Sequence, residues 1–256
     1  MTELSFRQDG DPAAPALIMG SSIGTTHHIW DPQVPALARR WRVIRFNARG
    51  HGGSPAPAGP YSIADLASDV IELADHLGVE RFAYCGLAMG GAIGQQLALD
   101  HRDRVRRLVL CCTAAWMGGP EPWLDRAKRV RAAGTDWLVE ASRHRWFRTG
   151  ADIPTGGRRA LEAQRDVDPE GYAACCEALA DHDLRERIGS IAAPTAVIAG
   201  ADDVTVPAPM TDLLAERIPG ASLTVIPAAA HIVSLEQPDA VLSAITAHLS
   251  PPAVQH

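Results

Sequence analysis

Residues Val79–Leu99 read VERFAYCGLAMGGAIGQQLAL, and this stretch decides the fold. It begins with an apolar run, Phe82 to Cys85, that has the length of a buried strand, and it ends in a segment, 92–99, with apolar residues at helical spacing. The glycine-rich residues 86–91 join the two segments. We therefore predict a strand that enters a helix through a tight turn, and a central turn residue whose strained backbone lifts its side chain clear of the sheet.

The turn has the glycine spacing of a nucleophile elbow, G-x-S-x-G, in which a reactive serine stands between two glycines. Here the sequence is Gly86-Leu-Ala-Met-Gly90, so Ala88 takes the place of the serine. A dinucleotide-binding loop would instead follow the pattern G-x-G-x-x-G. The next apolar run, Val105 to Cys111, also lacks a terminal acidic residue that could bind a ribose. These patterns argue against a nicotinamide or flavin cofactor, and we predict no cofactor.

Strand and helix patterns alternate on both sides of this turn, which predicts an α/β fold with a mostly parallel sheet covered by helices on both faces. The predicted strands are 16–19, 41–46, 82–85, 105–112, 195–199 and 223–226, and the predicted helices outside the central stretch are 30–37, 62–77, 208–218 and 238–249. Strand patterns are absent from 118–189, where tryptophans occur among helical segments rich in arginine and alanine. We predict that residues 1–117 and 190–256 form the core and that residues 118–189 form a helical cap over the sheet's carboxyl edge.

The composition limits the function classes. With 256 residues, of which 46% are hydrophobic, the chain can bury one large core. A net charge of −6 argues against nucleic acid as the main partner. No apolar run approaches the length of a membrane span and the N-terminal residues lack a secretion-signal pattern, so we expect a cytoplasmic protein with no membrane partner. The five cysteines lack a C-x-x-C spacing and are predicted to be buried, reduced thiols.

Three strand ends carry the candidate catalytic residues, because catalytic groups of such sheets collect in the loops at the carboxyl ends of strands. In chain order they are Ala88, Asp203 and His231, which is the order nucleophile, acid, base. Histidine can accept a proton from a hydroxyl and return it to a leaving group at neutral pH, and a carboxylate fixes its tautomer. Asp202 is the alternative acid, but the spacing from Gly200 to Pro207 favours Asp203.

Two further roles follow from the predicted chemistry. A tetrahedral anion needs two backbone donors, and we assign them to the N–H groups of Met89, after the elbow residue, and Ile23, in the loop after the first strand. Their apolar side chains can line the pocket as well. We considered the histidines at positions 27, 28, 51 and 182 as metal ligands, but none has a strong ligand spacing, so we predict no catalytic metal.

The motifs together resemble those of the α/β-hydrolase superfamily over nearly the whole chain. They are SSIGTTHHIWDPQVPAL (21–37), RGHGGS (49–54), GLAMGG (86–91), AGADDVTVP (199–207) and AAAHIVSLEQP (228–238). Within that superfamily the chain is most similar to the 3-oxoadipate enol-lactonases of the β-ketoadipate pathway. The S-S-I-G loop, W-D-P-Q and L-E-Q-P carry this narrower resemblance and are less specific than the superfamily motifs.

The resemblance implies an α/β-hydrolase fold and hydrolysis of an enol-lactone to 3-oxoadipate through an acyl-enzyme, without cofactor, in the bacterial breakdown of aromatic compounds. It assigns the nucleophile to Ala88, the acid to Asp203, the base to His231 and the oxyanion donors to Ile23 and Met89. The chain departs from the family at two positions. The family usually has asparagine where Ser21 stands and serine where Ala88 stands.

Three explanations of Ala88 are open. A deliberate Ser→Ala change, which would hold substrate without turnover, explains why every other motif is intact. The chain could also be a native protein that binds a ligand without hydrolysing it, or a native enzyme that uses His231 for proton transfer. In each case the Ala88 chain should be nearly inactive as a hydrolase, because loss of a triad nucleophile lowers turnover by about 10⁶.

The enol-lactone that the resemblance implies as substrate carries a carboxylate, so we expect a cation to face the pocket from the predicted cap. The candidates are Arg145 and Arg148, which flank Trp146 and Phe147, although a solvated helix face would explain both arginines equally well. Cap tryptophans can equally serve only to hold the cap to the core. The predicted substrate pocket comprises Ser22, Trp123, Arg145, Trp146 and Arg148.

Overall fold

The computed structural model describes residues 3–250. Its sheet has the strand order β1-β3-β2-β4-β5-β6-β7, in which β1 alone is antiparallel to its neighbour. The strands are β1 (Phe6–Asp9), β2 (Ala16–Gly20), β3 (Arg42–Phe46), β4 (Phe82–Leu87), β5 (Val105–Cys111), β6 (Thr195–Gly200) and β7 (Ser222–Ile226). The helices are α1 (Val34–Leu37), α2 (Ile63–His76), α3 (Met89–Asp100), α4 (Pro120–Ala133), α5 (Leu138–Trp146), α6 (Thr155–Glu162), α7 (Pro169–Ala180), α8 (Ala208–Arg217), α9 (Val233–Glu236) and α10 (Pro238–Leu249). The predicted mostly parallel α/β sheet is confirmed.

The central strands are continuous apolar runs because helices cover both faces of the sheet. Alternate residues of one strand enter different cores: Ile18 packs with α2 and α3, whereas Leu17 packs with α1 and α10. Helix α2 begins at a capping box, in which the Ser62 and Asp65 side chains each bind the other's backbone N–H.

Two elements differ from the prediction. Strand β1 was not predicted, because its sequence FRQD is short and polar, as edge strands often are. The predicted helix over 30–37 is a 3₁₀ turn, His27–Trp30, followed by the short helix α1. Pro35 explains the late start, because proline is tolerated only in the first turn of a helix.

The residues between β5 and β6 form α4 to α7, and we propose that residues 118–189 are a cap. The predicted core comprises residues 1–117 and 190–256. Of these, residues 1–2 and 251–256 lie outside the described residues. Helix α7 meets the core by direct backbone contact: a Cβ on Gly171 would lie 2.6 Å from the Cα of Gly50. The Asp168 N–H also donates to the Gly50 carbonyl at 2.9 Å. The start of α7 is therefore closely docked on the loop that follows β3.

Within residues 3–250 no helix combines the length and the apolar character that crossing a membrane would require.

Candidate active site

Ala88 lies at the turn between β4 and α3 with φ 52° and ψ −112°. A residue with a Cβ is strained at a positive φ, at a cost of about 1 to 3 kcal/mol. The flanking glycines allow the turn, because a Cβ on Gly86 would lie 2.1 Å from the Gly90 carbonyl oxygen and one on Gly90 would lie 2.5 Å from the carbonyl carbon of Gly20. The backbone thus has the geometry predicted for a nucleophile elbow, with a methyl group at its apex.

His231 and Asp203 form a buried pair at the same edge of the sheet. Nδ1–H of His231 donates to Oδ2 of Asp203 at 2.9 Å, and the two side chains are 3% and 1% exposed. The other carboxylate oxygen accepts the backbone N–H groups of Thr205 at 2.8 Å and Val206 at 3.0 Å. Because these bonds fix the carboxylate, the ring is held with Nε2 available to the pocket. Asp202 is exposed, and among residues 3–250 no hydrogen bond or ion pair joins it to His231.

A cavity of about 40 Å³ lies beside Ala88 and His231, between the sheet edge and α4, α5 and α7. Four of the five predicted pocket residues line it: Ser22, Trp123, Arg145 and Trp146. The lining also includes residues that sequence reasoning missed, namely Met117, Arg126, Ser142, Tyr172, Leu179, Thr205 and Val206. A cavity of this size holds a few water molecules, so side chains must move before it can admit a lactone.

Ile23 and Met89, the two predicted oxyanion donors, both line the cavity. In the described part of the chain, neither backbone N–H has a hydrogen-bond acceptor. The Gly90 N–H donates to the Ser21 carbonyl at 3.1 Å, which ties the Ile23 loop to the start of α3. Two unpaired backbone donors beside the elbow are what a developing oxyanion requires.

The comparisons with known proteins agree with this geometry. Residues 15–238 match the family model described as the alpha/beta hydrolase fold. The chain belongs to the α/β-hydrolase family. It is 37% identical over 246 residues to 3-oxoadipate enol-lactonase 2 of Acinetobacter baylyi, covering 95% of this chain and 92% of that protein.

Solved structures show the same likeness. The enol-lactonase from Burkholderia xenovorans LB400 is 41% identical, with a TM-score of 0.91 and coverage of 98% of this α/β-hydrolase and 97% of that chain. A thermophilic esterase from Thermogutta terrifontis, solved with malate bound, is 30% identical, with a TM-score of 0.87 and coverage of 95% and 92%.

Arg145 is one of two half-buried arginines that line this α/β-hydrolase's cavity, the other being Arg126. Arg145 donates to the Ala141 carbonyl at 2.9 Å and to the Ser142 hydroxyl at 3.3 Å, and no carboxylate among residues 3–250 pairs with it. Burial, followed by the charge of Arg126, lowers the pKa of Arg145 to about 10. Arg126 itself stacks on Trp123, 4.7 Å from the ring centre. The cavity therefore has a positive side to which the described part of the chain contributes no counter-ion.

The prediction that Arg148 lines the pocket is wrong. Its backbone N–H donates to Oε1 of Glu236 at 3.0 Å, and its Nε lies 4.0 Å from carboxylate oxygens of both Asp202 and Glu236. Helix α5 ends at Trp146, and the extended backbone of Phe147 carries Arg148 away from the face that holds Arg145. Helical spacing therefore does not continue to position 148.

The histidines considered as metal ligands have other contacts. His27, His28 and Asp31 do lie together, with potential ligand atoms within 4.8 Å of one another. However, Arg45 binds Asp31, and Arg159 hydrogen-bonds Nε2 of His28 at 2.9 Å. Two arginines at these ligands oppose a divalent cation electrostatically. His182 hydrogen-bonds the Ala114 carbonyl, and His51 uses both ring nitrogens for backbone hydrogen bonds.

The neutral state of His51 predicts a pH-dependent stability. Burial lowers its pKa from 6.5 to about 4, against the opposing effects of the Arg49 carbonyl and Asp168. Between these values the unfolded chain binds a proton that the folded chain does not, so the unfolding free energy falls as the pH falls. We expect this residue to account for a loss of about 2 kcal/mol between pH 7.5 and pH 5.

Denaturant unfolding at several pH values measures this loss. His27, whose pKa is lowered to about 4 mainly by burial, contributes in the same direction and provides the internal comparison. In the His51→Gln variant the unfolding free energy should depend less steeply on pH, because only the contribution of His51 is removed and that of His27 remains. An unchanged slope in that variant would contradict the prediction.

Proposed function

We propose that this α/β-hydrolase site takes a carboxylic ester or lactone that carries a carboxylate, with 3-oxoadipate enol-lactone as the first candidate. With serine at position 88 the site would hydrolyse this substrate, whereas the Ala88 chain would bind it almost without turnover. The proposal depends on one arrangement of groups around the cavity. The buried His231–Asp203 pair lies near residue 88, which has the strained backbone of a nucleophile elbow, and near two unpaired backbone N–H groups. The similarity to two enol-lactonases supports the choice of substrate.

The residues suggest each step. A serine hydroxyl at position 88 would attack the lactone carbonyl while Nε2 of His231 accepts its proton, and Asp203 would stabilise the imidazolium. The N–H groups of Ile23 and Met89 would bind the resulting oxyanion. Collapse breaks the ring C–O bond, and His231 returns the proton to the leaving enol oxygen. Water, deprotonated by the same imidazole, then cleaves the acyl ester and restores the serine.

The charge of the cavity supports a substrate with a carboxylate. Among residues 3–250 no carboxylate pairs with Arg145, and Arg126 lies nearby, so binding an anion would relieve the repulsion between the two arginines. The esterase relative solved with malate shows that a protein of this fold can be found with a small carboxylate ligand. Ser22 is 2% exposed and its hydroxyl has no partner among the described residues, so it can donate to the lactone.

A substrate panel tests the proposed reaction. Ala88→Ser should hydrolyse the acidic enol-lactone in preference to neutral lactones and to p-nitrophenyl acetate. The parent chain should bind the enol-lactone in a calorimeter and leave it intact. If the serine variant is inert on the whole panel, the hydrolase proposal fails.

Ala88 itself supports two other functions, because an alanine cannot form an acyl-enzyme. One is a protein that binds its ligand without hydrolysis, which an inert serine variant would favour. The other is a cofactor-free enzyme in which His231 moves a proton. Turnover of a substrate by the Ala88 chain, abolished by His231→Ala, would favour the second.

The variant Arg145→Gln tests whether Arg145 recognises the carboxylate of the substrate and not its ester group. In the Ala88→Ser background we expect KM for the acidic lactone to rise about 10-fold to 100-fold, the value of a charge-assisted hydrogen bond. A neutral ester should be little affected. Arg148→Gln is the matched control, since that arginine lies outside the cavity and pairs with acidic residues. Equal effects on the acidic and neutral substrates would count against this role.

A further inference from the structure

The loop that carries Ile23 is supported from behind by the loop that follows β3. His51 accepts the Gly24 N–H on Nε2 at 2.9 Å, and Asn47 accepts the His27 N–H on Oδ1 at 2.7 Å. Asn47 is held in turn, because its Nδ2 donates to the Gly52 carbonyl at 3.0 Å. Two side chains thus bind backbone donors just after the proposed oxyanion donor.

The bond to Gly24 determines the direction of the neighbouring peptide group. The Gly24 N–H belongs to the same rigid plane as the Ile23 carbonyl, so fixing that N–H fixes the rotation of Ile23 about its Cα–C bond. Gly24 has φ +76°. Glycine adopts positive and negative φ values about equally easily, so the residue type alone does not fix this backbone conformation. The hydrogen bond to His51 favours one orientation of the Ile23–Gly24 peptide.

His51 can accept this bond only as a neutral ring. Its Nδ1–H donates to the Arg49 carbonyl at 2.8 Å, which leaves the lone pair on Nε2 for Gly24. The ring is fully buried. The groups around it are Tyr172, whose ring centre is 6.2 Å away, Asp168, and Arg49, whose guanidinium is bound to Asp69.

We propose that His51 is a positioning residue for the oxyanion site: its neutral Nε2 holds the Ile23–Gly24 peptide and so maintains the turn from Ser22 to Thr25 that carries the Ile23 N–H. The Thr25 N–H closes this turn by donating to the Ser22 carbonyl at 3.1 Å, and that carbonyl lies in the same peptide plane as the Ile23 N–H. This inference rests on the proposed hydrolase function. His51 lies outside the cavity lining and acts only through the loop.

Two substitutions of His51 in the Ala88→Ser background test the role. His51→Leu removes the acceptor and should lower kcat about 10-fold to 100-fold, somewhat less than loss of a whole oxyanion donor, with little change in KM. His51→Gln places an amide oxygen near the position of Nε2 and should recover at least about half of that loss on a logarithmic scale. If both variants lower stability but keep the serine variant's kcat, or lower kcat equally, the positioning role is overturned.

A second measurement uses the Ala88 chain and does not depend on hydrolysis. Hydrogen exchange of the Gly24 amide should be about 10-fold faster in His51→Leu than in His51→Gln, the effect of losing one hydrogen bond. If the Ala88→Ser variant is inert, the proposed function fails, and this measurement still decides whether His51 holds the loop. Equal exchange at Gly24 in both variants would overturn the inference by itself.

Discussion

Replacing Ala88 with serine should raise the turnover of an enol-lactone or activated ester by about 10⁶, the factor by which loss of a triad nucleophile lowers it. The gain should be this large because the other catalytic groups are already in place, although the cavity must still open to admit the substrate. Position 88 has the elbow conformation, at φ 52° and ψ −112°, and His231 is fixed by Asp203. A hydroxyl added there needs no backbone rearrangement. Initial rates for the two chains, with the enzyme-free rate subtracted, measure the effect.

The double variant with His231→Ala is the control. In the serine background this change should return turnover to about the level of the parent, and in the Ala88 background it should change almost nothing, because residues that act as a unit are not additive. The free energy of unfolding should differ by no more than about 3 kcal/mol between the alanine and serine chains, because the change adds one hydroxyl at a buried position. A serine chain that is folded but no faster than the parent would contradict the prediction.

The elbow and the central strands could be predicted from the sequence because their physical causes are local. A parallel strand buried on both faces must be a continuous apolar run, as 82–85 is, and the turn at 86–90 needs its glycines for steric reasons. Strand β1 could not be predicted in this way. Only four residues long, it pairs with β3 alone and leaves polar side chains outside, so no hydrophobic period marks it.

The candidate site was predictable only in part. Ala88, Asp203 and His231 follow strands whose ends must meet in a parallel sheet, so their meeting needs only the topology. The side of the cavity formed by α4 and α7 depends instead on how these two helices pack together, which no local sequence pattern records. Arg126 and Tyr172 were missed for that reason, and Arg148 was wrongly included because the end of α5 at Trp146 was not recognised.

His51 illustrates the same limit in a different way. The glycine-rich segment 49–54 was noticed only through its resemblance to an α/β-hydrolase motif, and its histidine was considered only as a metal ligand. Its contact with Gly24 spans 27 positions and joins two irregular loops. Such a contact has no periodicity, so it becomes visible only when the atoms are placed.

Asp203→Asn should lower kcat of the serine chain by about 10⁴, because it reverses the tautomer of the base. Oδ1 of Asp203 accepts two backbone N–H groups, from Thr205 and Val206, so an asparagine would keep its carbonyl oxygen there. Its NH₂ group would then face Nδ1 of His231, which would have to become an acceptor and move its proton to Nε2. A base already protonated at Nε2 cannot accept the serine proton.

Asp202→Asn is the matched control, since it makes the same chemical change one residue earlier on an exposed side chain and should leave kcat within about a factor of two of the serine chain. Nitrogen NMR of the His231 ring in the Ala88 chain should find the proton on Nδ1 in the parent and on Nε2 in Asp203→Asn. If the two aspartate variants lowered kcat equally, or if the ring kept its tautomer while activity fell, the carboxylate would not orient the base. The cause would then have to lie in the packing of the loop after β6, which the Asp203 bonds to Thr205 and Val206 also hold.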